Sequence, residues 1–327
     1  CLTKSRAPMV KYRQEGSRLI IHEKGGIMAF FRSNCKIHEI NPVQKRGLGK
    51  NQPMGSAFKA HVISDLGRAH RKNADNCLLG NQINGACANG FVLSVEESNA
   101  HKPWHIAGVF DGISSGENAE NASKEAATIF QRGTDSLNET TTEEKADQLI
   151  RAAFLDAGRS ISRMKPFGNG MGTTGTVLCT NLNVFKVFHL GDSRAYLLRN
   201  HRLSQLTRDQ TLAQLKLDAG LYEKCSSEIQ SDSHILTDYI GRNPDGYPVE
   251  SQWVSVQKND SILLCSDGLY DMCTDSEIIK IMQETCNAQE HAQKLVDAAL
   301  EKGGMDNVTC IVIHFSQEGE QNGDLRY

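Results

Sequence analysis

Three aspartates lie at the ends of apolar runs whose composition predicts buried β-strands. They are Asp111, after the run 105–110; Asp267, after the run 261–265; and Asp306, before the run 308–314. Carboxylates at the ends of buried strands are poorly hydrated, and three that lie close together repel one another unless a cation holds them. Mg²⁺ and Mn²⁺ prefer oxygen ligands of this kind. The pattern therefore predicts a hard-metal site and a metal-assisted reaction on a phosphate.

Composition excludes several other classes of function. The chain has 327 residues and a formal net charge of -3, which gives no electrostatic argument for binding nucleic acid or an anionic membrane. Its 10 cysteines are scattered singly, without a Cys-x-x-Cys pair, so neither a zinc framework nor a disulfide scaffold is expected. This cysteine usage predicts a reducing compartment, the cytoplasm. No apolar run approaches the length of a membrane span, and no signal peptide is visible.

The N-terminal residues raise a separate question about the native start of translation. Residues 1–27 are basic and lack periodicity, and they end in Lys24-Gly25-Gly26-Ile27 just before Met28. Back-translated, Lys-Gly-Gly can read as a bacterial ribosome-binding site. One hypothesis is that Met28 is the native start and residues 1–27 are untranslated leader in the native protein. The alternative is a disordered basic tail or an artefact of expression.

Hydrophobic periodicity predicts the elements that must position the three aspartates. Predicted strands cover 57–64, 91–95, 105–110, 175–180, 184–190, 194–199, 261–265 and 307–315, and predicted helices cover 116–131, 212–219, 275–285 and 288–302. A further long helix is expected to open at a capping box formed by Thr141 and Glu144. Tight strand-turn-strand spacing favours antiparallel pairing, and the helices are segregated from the strands, so the class is α+β.

Residues 56 to about 315 resemble the metal-dependent Ser/Thr protein phosphatases of the protein phosphatase 2C family, and most closely its bacterial type. Five segments in family order carry the resemblance. They are GRAHRKNAD (67–75); FDG (110–112); GTTGT (172–176); LGDSRAYL (190–197), leading into LTRDQ (206–210); and LLCSDGL (263–269), completed by GGMDNVT (303–309). The order and spacing of these motifs make a chance match very improbable.

The resemblance implies a centre for two Mn²⁺ or Mg²⁺ ions. Asp111 would bridge both ions, and Asp75 with the Gly112 carbonyl would hold one of them. Asp267 and Asp306 would hold the other, and Asp192 matches a position that serves a weaker third ion in bacterial members. The resemblance makes Asp111 and Asp267 the catalytic pair. A metal-activated water would attack phosphorus in line, so no phosphoenzyme is expected.

The chain departs from the family at the position that grips the substrate phosphate. The family has an arginine five residues before the first metal aspartate, where this chain has His70, followed by Arg71. If these residues lie on a strand, neighbours face opposite sides and Arg71 cannot simply replace the missing arginine. Arg clamps phosphate bidentately, and His does so less well. We therefore expect weak phosphate binding, or binding that improves toward acid pH.

A second departure follows Asp111 and Gly112. Many family members have a histidine in a glycine-rich stretch there that can act as a general acid. This chain has Ile113-Ser114-Ser115-Gly116-Glu117 instead, without a histidine.

The resemblance implies an αββα sandwich, in which two packed antiparallel sheets are flanked by helices and the metal site lies at one end between the sheets. Three segments are expected: an N-terminal arm over 1–55, predicted to be disordered; a phosphatase domain over 56–316, with a flap over 208–248; and a polar tail over 317–327. The implied function is hydrolysis of phosphoserine and phosphothreonine in proteins by a cytoplasmic, monomeric enzyme. Its partners would be phosphorylated proteins, including a Ser/Thr kinase and that kinase's substrates.

Two alternatives remain open. One is a degenerate family member that binds phosphoproteins or regulates them, for which His70 is the main support. The other is a regulatory phosphatase with the same chemistry and a narrow partner. Retention of the metal aspartates favours an active enzyme.

Overall fold

The computed structural model describes residues 11–15, 18–23, 26–32, 56–84, 91–95, 104–113, 118–164, 171–221, 228–284 and 287–317. The strands in chain order are β1 Lys11–Glu15, β2 Arg18–Glu23, β3 Gly26–Arg32, β4 Ser56–Asp65, β5 Asn76–Leu79, β6 Gln82–Asn84, β7 Phe91–Val95, β8 His105–Phe110, β9 Gly112–Ile113, β10 Gly172–Thr173, β11 Gly175–Thr180, β12 Val184–Leu190, β13 Arg194–Arg199, β14 Arg202–Gln205, β15 Val249–Glu250, β16 Val254–Ser255, β17 Ser261–Cys265 and β18 Val308–Gln317. The helices are α1 Ala119–Thr134, α2 Glu143–Met164, α3 Leu212–Asp218, α4 Glu228–Asp232, α5 Asp267–Tyr270, α6 Asp275–Glu284 and α7 Ala288–Glu301.

Two large antiparallel sheets form the centre of the described structure. Sheet I has the order β15-β12-β11-β8-β5-β6, with β16 also paired to β12, and sheet II has the order β14-β13-β17-β18-β4-β7. Their central strands are long apolar runs because both faces are covered. All five residues of β17, for example, are buried.

The two sheets pack face to face through an apolar core. Val109 and Leu178 of sheet I belong to the same buried cluster as Leu264 and Ile311 of sheet II. Close packing of β-branched and leucine side chains across two inner faces is the usual way in which sheets bury their apolar sides.

Helices cover the outer face of each sheet. Helices α1 and α2 pack on sheet I, where the rings of Phe130 and Phe154 meet edge to face with centroids 4.8 Å apart. Helices α5, α6 and α7 pack on sheet II through residues that include Ile278 and Leu295. The predicted four-layer αββα sandwich of class α+β is therefore confirmed.

The predicted capping box at the start of α2 is wrong by one residue. The Thr142 hydroxyl accepts the N–H of Lys145 at 3.2 Å, whereas the Thr141 hydroxyl accepts the N–H of Asn138 at 3.0 Å in the preceding turn. Thr141 is therefore already used by that turn, and its neighbour caps the helix.

The segment predicted to be a loose N-terminal arm contains three strands in its described part. Strands β1, β2 and β3 pair as an antiparallel sheet in the order β1-β2-β3. The sequence pattern did not predict these strands. The division of the chain into arm, domain and tail stays a prediction, and residues 318–327 of the predicted tail lie outside the described residues.

The predicted flap, 208–248, contains α3 and α4 in its described part and is anchored at both of its ends. The N–H of Thr237 donates to the Gln210 carbonyl at 2.7 Å, and the N–H of Ile240 donates to the Thr173 carbonyl at 2.9 Å. The Ile240 side chain is buried in the core beneath α2. Among the helices that the structure describes, none is both long and apolar enough to cross a lipid bilayer.

Candidate metal centre

Five aspartates from five separate segments converge at one end of the two sheets. Their positions follow from the strands that they flank: Asp75 immediately precedes β5, Asp111 follows β8, Asp192 lies between β12 and β13, Asp267 follows β17 as the first residue of α5, and Asp306 lies just before β18. Each of the five carboxyl groups repels at least one of the others. The structure thus brings together all the aspartates that the sequence analysis selected.

Asp111 and Asp267 lie close enough together for their carboxyl groups to shift each other's pKa. Burial, followed by repulsion from Asp75 and Asp267, raises the pKa of Asp111 well above its ordinary range. Burial and repulsion from Asp306 and Asp271 raise the pKa of Asp267 to about 7.

Asp75 is buried deepest of the group, with 1 % of its surface exposed. Burial raises its pKa to about 7, and repulsion from Asp267 and Asp306 adds to this, although hydrogen bonds from Thr309 and Ser266 lower it. The Ser266 hydroxyl donates to Asp75 Oδ2 at 2.8 Å. The N–H of Asp75 itself donates to the Asn73 side-chain oxygen at 3.0 Å, so Asn73 helps to fix the backbone of its neighbour.

Asn307 ties together the loops that carry Asp75 and Asp306. Its Oδ1 accepts the N–H of Ala74 at 2.7 Å, and its Nδ2 donates to the carbonyls of Leu66 and Lys72 at 2.8 and 3.2 Å. The amide side chain thereby fixes the separation of the two carboxylate-bearing loops.

Two glycines allow the backbone segments of this centre to approach closely. A Cβ at Gly268 would lie 2.1 Å from the carbonyl oxygen of Asn307, and a Cβ at Gly67 would lie 2.1 Å from that of Asp306. Gly67 also has φ +72°, in the left-handed region. These contacts bring the residue-267 turn and the residue-67 turn against the start of β18.

The backbone at Asp111 is held by Thr173 of β10, the strand paired with β9, and by the next residue, Thr174. The Thr173 hydroxyl and the Thr174 N–H both donate to the Asp111 carbonyl at 2.8 Å, and the Asp111 N–H donates to the Thr174 hydroxyl at 2.9 Å. Gly112, the predicted carbonyl ligand, follows directly in β9. The Thr174 hydroxyl also bonds to that of Ser193 at 2.6 Å, next to Asp192.

Asp192 is buried, and its backbone is held from α5. The Tyr270 hydroxyl donates to the Asp192 carbonyl at 3.1 Å, and the Arg194 guanidinium lies 3.6 Å from the centre of the Tyr270 ring. Arg194 is in turn paired with Asp209, with Nη2 and Oδ2 2.6 Å apart. Burial and repulsion from Asp267 raise the pKa of Asp192 well above its ordinary range.

This donor set fits divalent metal ions. Buried, mutually repelling carboxyl groups with pKa values raised to about 7, such as Asp75 and Asp267, are in the state expected of carboxylate ligands without their counter-charge. Divalent ions accept such oxygen ligands and relieve their repulsion. The arrangement can therefore hold cations next to a phosphate.

His70 and Arg71 lie in the loop 66–75 between β4 and β5, not on a strand. The argument from strand alternation therefore does not apply to these two residues. His70 Nε2 lies 3.3 Å from Asp306 Oδ1, and both side chains are exposed. His70 thus stands at the edge of the centre, and Arg71 is also exposed.

Sequence reasoning missed Ser266 and Thr309 as partners of Asp75. The signal available was only adjacency, since Ser266 directly precedes Asp267 in a matched motif. Residues 114–117, where a histidine is absent from the sequence, lie outside the described residues.

Comparison with known proteins points to one family. The sequence model described as "Protein phosphatase 2C" matches residues 61–216 and 248–308 of this chain. All five aspartates named above lie within these two ranges, and Asp306 lies near the end of the second.

Two curated bacterial proteins are similar in sequence. The serine/threonine protein phosphatase PstP of Mycobacterium tuberculosis is 32% identical over 225 residues, which cover 68% of this chain and 43% of PstP. The serine/threonine phosphatase stp of Listeria monocytogenes is 29% identical over 260 residues, which cover 78% of this chain and 94% of stp. The chain thus spans less than half the length of PstP.

A solved structure is also similar. The crystal structure of the PstP catalytic domain in complex with 2 manganese ions superposes with a TM-score of 0.63 at 27% identity. The superposition covers 80% of this chain and 100% of that domain.

Proposed function

The chain belongs to the protein phosphatase 2C family, and from this premise we propose that it hydrolyses phosphoserine and phosphothreonine in proteins with the help of divalent metal ions. The observation that carries the proposal is the convergence of five aspartates at one end of the sandwich. The carboxyl pKa values of Asp75, Asp111, Asp192 and Asp267 are raised, and a cation would relieve the repulsion that contributes to this. The curated relatives PstP and stp are named as serine/threonine phosphatases.

Each aspartate has a distinct task in this proposal. Asp111 would help to hold two ions, with Asp75 and the Gly112 carbonyl as further ligands for one of them and Asp267 and Asp306 for the other. Asp192 would serve a weaker third ion. The ions are Mn²⁺ or Mg²⁺, and Mn²⁺ is favoured because the PstP catalytic domain was crystallised with manganese.

The bound ions would lower the pKa of a water molecule that they bind, and they would place positive charge around the phosphate. The protein would keep the carboxylates aimed inward: Ser266 and Thr309 hold Asp75, and the Thr173 and Thr174 donors hold the backbone of Asp111. His70 and Arg71 would contact the substrate phosphate from the loop 66–75. Preorganised groups of this kind favour the charged transition state because they need not reorganise during the reaction.

Substrate and location are part of the same proposal. The substrates are phosphorylated proteins, among them a Ser/Thr kinase and the targets of that kinase, and the flap 208–248 influences which of them is accepted. The five described cysteines are buried thiols: Cys77, Cys179, Cys265, Cys273 and Cys310. This agrees with the reducing, cytoplasmic location inferred from cysteine usage.

Turnover of p-nitrophenyl phosphate and of a phosphothreonine peptide tests the proposal. We expect turnover with Mn²⁺ that EDTA abolishes and that Asp267→Asn lowers by a factor of about 100 or more, since a metal ligand is lost. Phosphopeptide binding without metal-dependent turnover would instead favour a degenerate member that acts as a binding module.

A further inference from the structure

A histidine of the flap lies beside two aspartates of α5 and its C-terminal end. His234 Nδ1 is 3.9 Å from Asp267 Oδ2 and 3.8 Å from Asp271 Oδ2. One ligand atom from each of the three residues lies within 4.8 Å of those from the other two. Two of these residues, His234 and Asp271, have no part in the dinuclear centre proposed above.

The flap is built so that His234 is held at this point. It follows α4, whose last residue, Asp232, forms a largely buried ion pair with Lys216 of α3, with 2.7 Å between the charged atoms. The N–H of Ile235 then donates to the Asp232 carbonyl at 3.2 Å, and the Ile235 carbonyl accepts the N–H of Leu212 at 2.8 Å. The residues on both sides of His234 are therefore fixed to α3 and α4.

The two aspartates are placed by the helical turn that follows β17. The N–H of Asp271 donates to the Asp267 carbonyl at 2.9 Å, which closes an i,i+4 turn. Residues at this spacing lie on the same face, so both carboxylates point toward one side of α5. That side is the one that His234 of the flap approaches.

The separations between His234 and each of the two carboxylates suit a transition-metal ion. Ligands at roughly 2.1 Å from an ion are separated from one another by about 3.0 to 4.2 Å, depending on whether they are adjacent or opposite. The separations of 3.8 and 3.9 Å fall within this range. Imidazole and carboxylate together suit Mn²⁺, Zn²⁺ or Co²⁺, whereas Mg²⁺ prefers oxygen and water ligands.

We propose that His234, Asp271 and the outward-facing oxygen of Asp267 bind a transition-metal ion that links the flap to α5. The family resemblance assigns a weaker third ion to Asp192, whereas the site proposed here takes an imidazole from the flap and a second carboxylate from residue 271. It shares Asp267 with the dinuclear centre, but it does not depend on phosphatase activity. An ion bound here would make the position of the flap depend on whether the metal centre is occupied.

Metal counting on the full chain tests this site directly. EDTA-stripped protein is dialysed against fixed concentrations of free Mn²⁺, and bound manganese is measured by mass spectrometry. We expect His234→Gln and Asp271→Asn each to weaken binding of one Mn²⁺ equivalent about tenfold or more relative to the wild type. We also expect pulsed electron paramagnetic resonance to detect nitrogen coupled to Mn²⁺ in the wild type and to lose that signal in His234→Gln.

Two controls make the outcome decisive. His201→Gln changes an exposed histidine in the turn between β13 and β14 and should alter neither manganese count nor nitrogen coupling. Mg²⁺ binding should be the same in wild type and His234→Gln. Loss of the ion in His234→Gln supports the site whether or not Asp192→Asn also loses it. An unchanged manganese count and nitrogen signal in His234→Gln, with loss only in Asp192→Asn, would overturn it, and p-nitrophenyl phosphate turnover in the same samples reports separately on the proposed activity.

Discussion

The hydroxyl of Ser266 donates a 2.8 Å hydrogen bond to Asp75 Oδ2, across a sequence separation of 191 residues. The Ser266 hydroxyl oxygen also accepts a hydrogen bond from the backbone N–H of Thr309 at 3.0 Å. One buried side chain therefore connects the end of β17, the start of β18 and the loop before β5. These are the segments that carry Asp267, Asp306 and Asp75.

Replacement of Ser266 by alanine should weaken metal binding. It removes a donor to Asp75 and leaves the Thr309 N–H without its partner, and loss of a partner that orients a metal ligand typically costs 10- to 100-fold in affinity. We expect a roughly tenfold weaker affinity for Mn²⁺, measured by calorimetric titration. Unfolding in urea should show a loss of about 1–3 kcal/mol, since a buried polar group is left unsatisfied.

Ser261→Ala is the matched control for this prediction. Ser261 lies at the other end of β17, is buried, and bonds to His314 Nδ1 at 2.7 Å. We expect a comparable loss of stability with an unchanged Mn²⁺ affinity. If both variants weakened Mn²⁺ binding equally, general destabilisation rather than orientation of Asp75 would be the cause.

Gly268→Ala should disrupt the contact between the residue-267 turn and the start of β18. The added Cβ would lie 2.1 Å from the Asn307 carbonyl oxygen, so the backbone must move. Overpacking of this kind costs about 1–3 kcal/mol, and we expect Mn²⁺ affinity to fall at least tenfold as Asp267 and Asp306 separate. In Gly220→Ala, whose Cβ meets nothing within 4 Å although φ is +68°, only stability should fall and Mn²⁺ affinity should not.

The central strands could be predicted because both of their faces are buried, so nearly every residue in them is apolar. Strands β8, β11, β12 and β17 appear in the structure at the predicted positions. Strands β5 and β14 were missed because each has only four residues, and β14 is polar with two of its four residues exposed. Helix α5 was missed because its four residues fall within a motif that was interpreted only for its chemistry.

The metal aspartates could be found from sequence because each follows or precedes a recognisable strand or motif. The contacts of His234 and Ser266 could not, because they join segments distant in the chain whose approach depends on packing of the flap and of the two sheets. His70 lies in a loop. This position was not predicted, because the motif 67–75 has no apolar alternation that would indicate its secondary structure.

Removal of metal should make stability depend on pH in a characteristic direction. In the metal-free protein, burial raises the pKa of Asp75 and Asp267 to about 7, against about 3.9 in an unfolded chain. The folded state then binds more protons than the unfolded chain, so these groups stabilise it fully below about pH 4 and this contribution is lost as pH rises through about 7. Mn²⁺ binds the ionised carboxylates and opposes that loss.

We therefore expect the increase in melting temperature caused by Mn²⁺ to be small near pH 5.5 and large near pH 8, because metal ligands must be deprotonated. Thermal unfolding with Mn²⁺ or EDTA across this range measures it. In EDTA, Asp267→Asn should show a weaker decline of stability with pH than the wild type. An equal effect of Mn²⁺ at both ends of the range would contradict the prediction.

Substitution of His70 by arginine should strengthen substrate binding. His70 lies in an exposed loop with Nε2 3.3 Å from Asp306 Oδ1, at the edge of the carboxylate cluster. A guanidinium there can bind two phosphate oxygens at once, and charge-assisted bidentate hydrogen bonds are about twice as strong as neutral ones. We expect His70→Arg to lower KM for a phosphothreonine peptide about tenfold with a smaller change in kcat, in steady-state assays with Mn²⁺.

His201→Arg is the control: it adds the same charge at the end of β13 that is far from Asp192, and it should leave KM unchanged. An unchanged KM in His70→Arg would show that the loop 66–75 does not bring residue 70 to the phosphate.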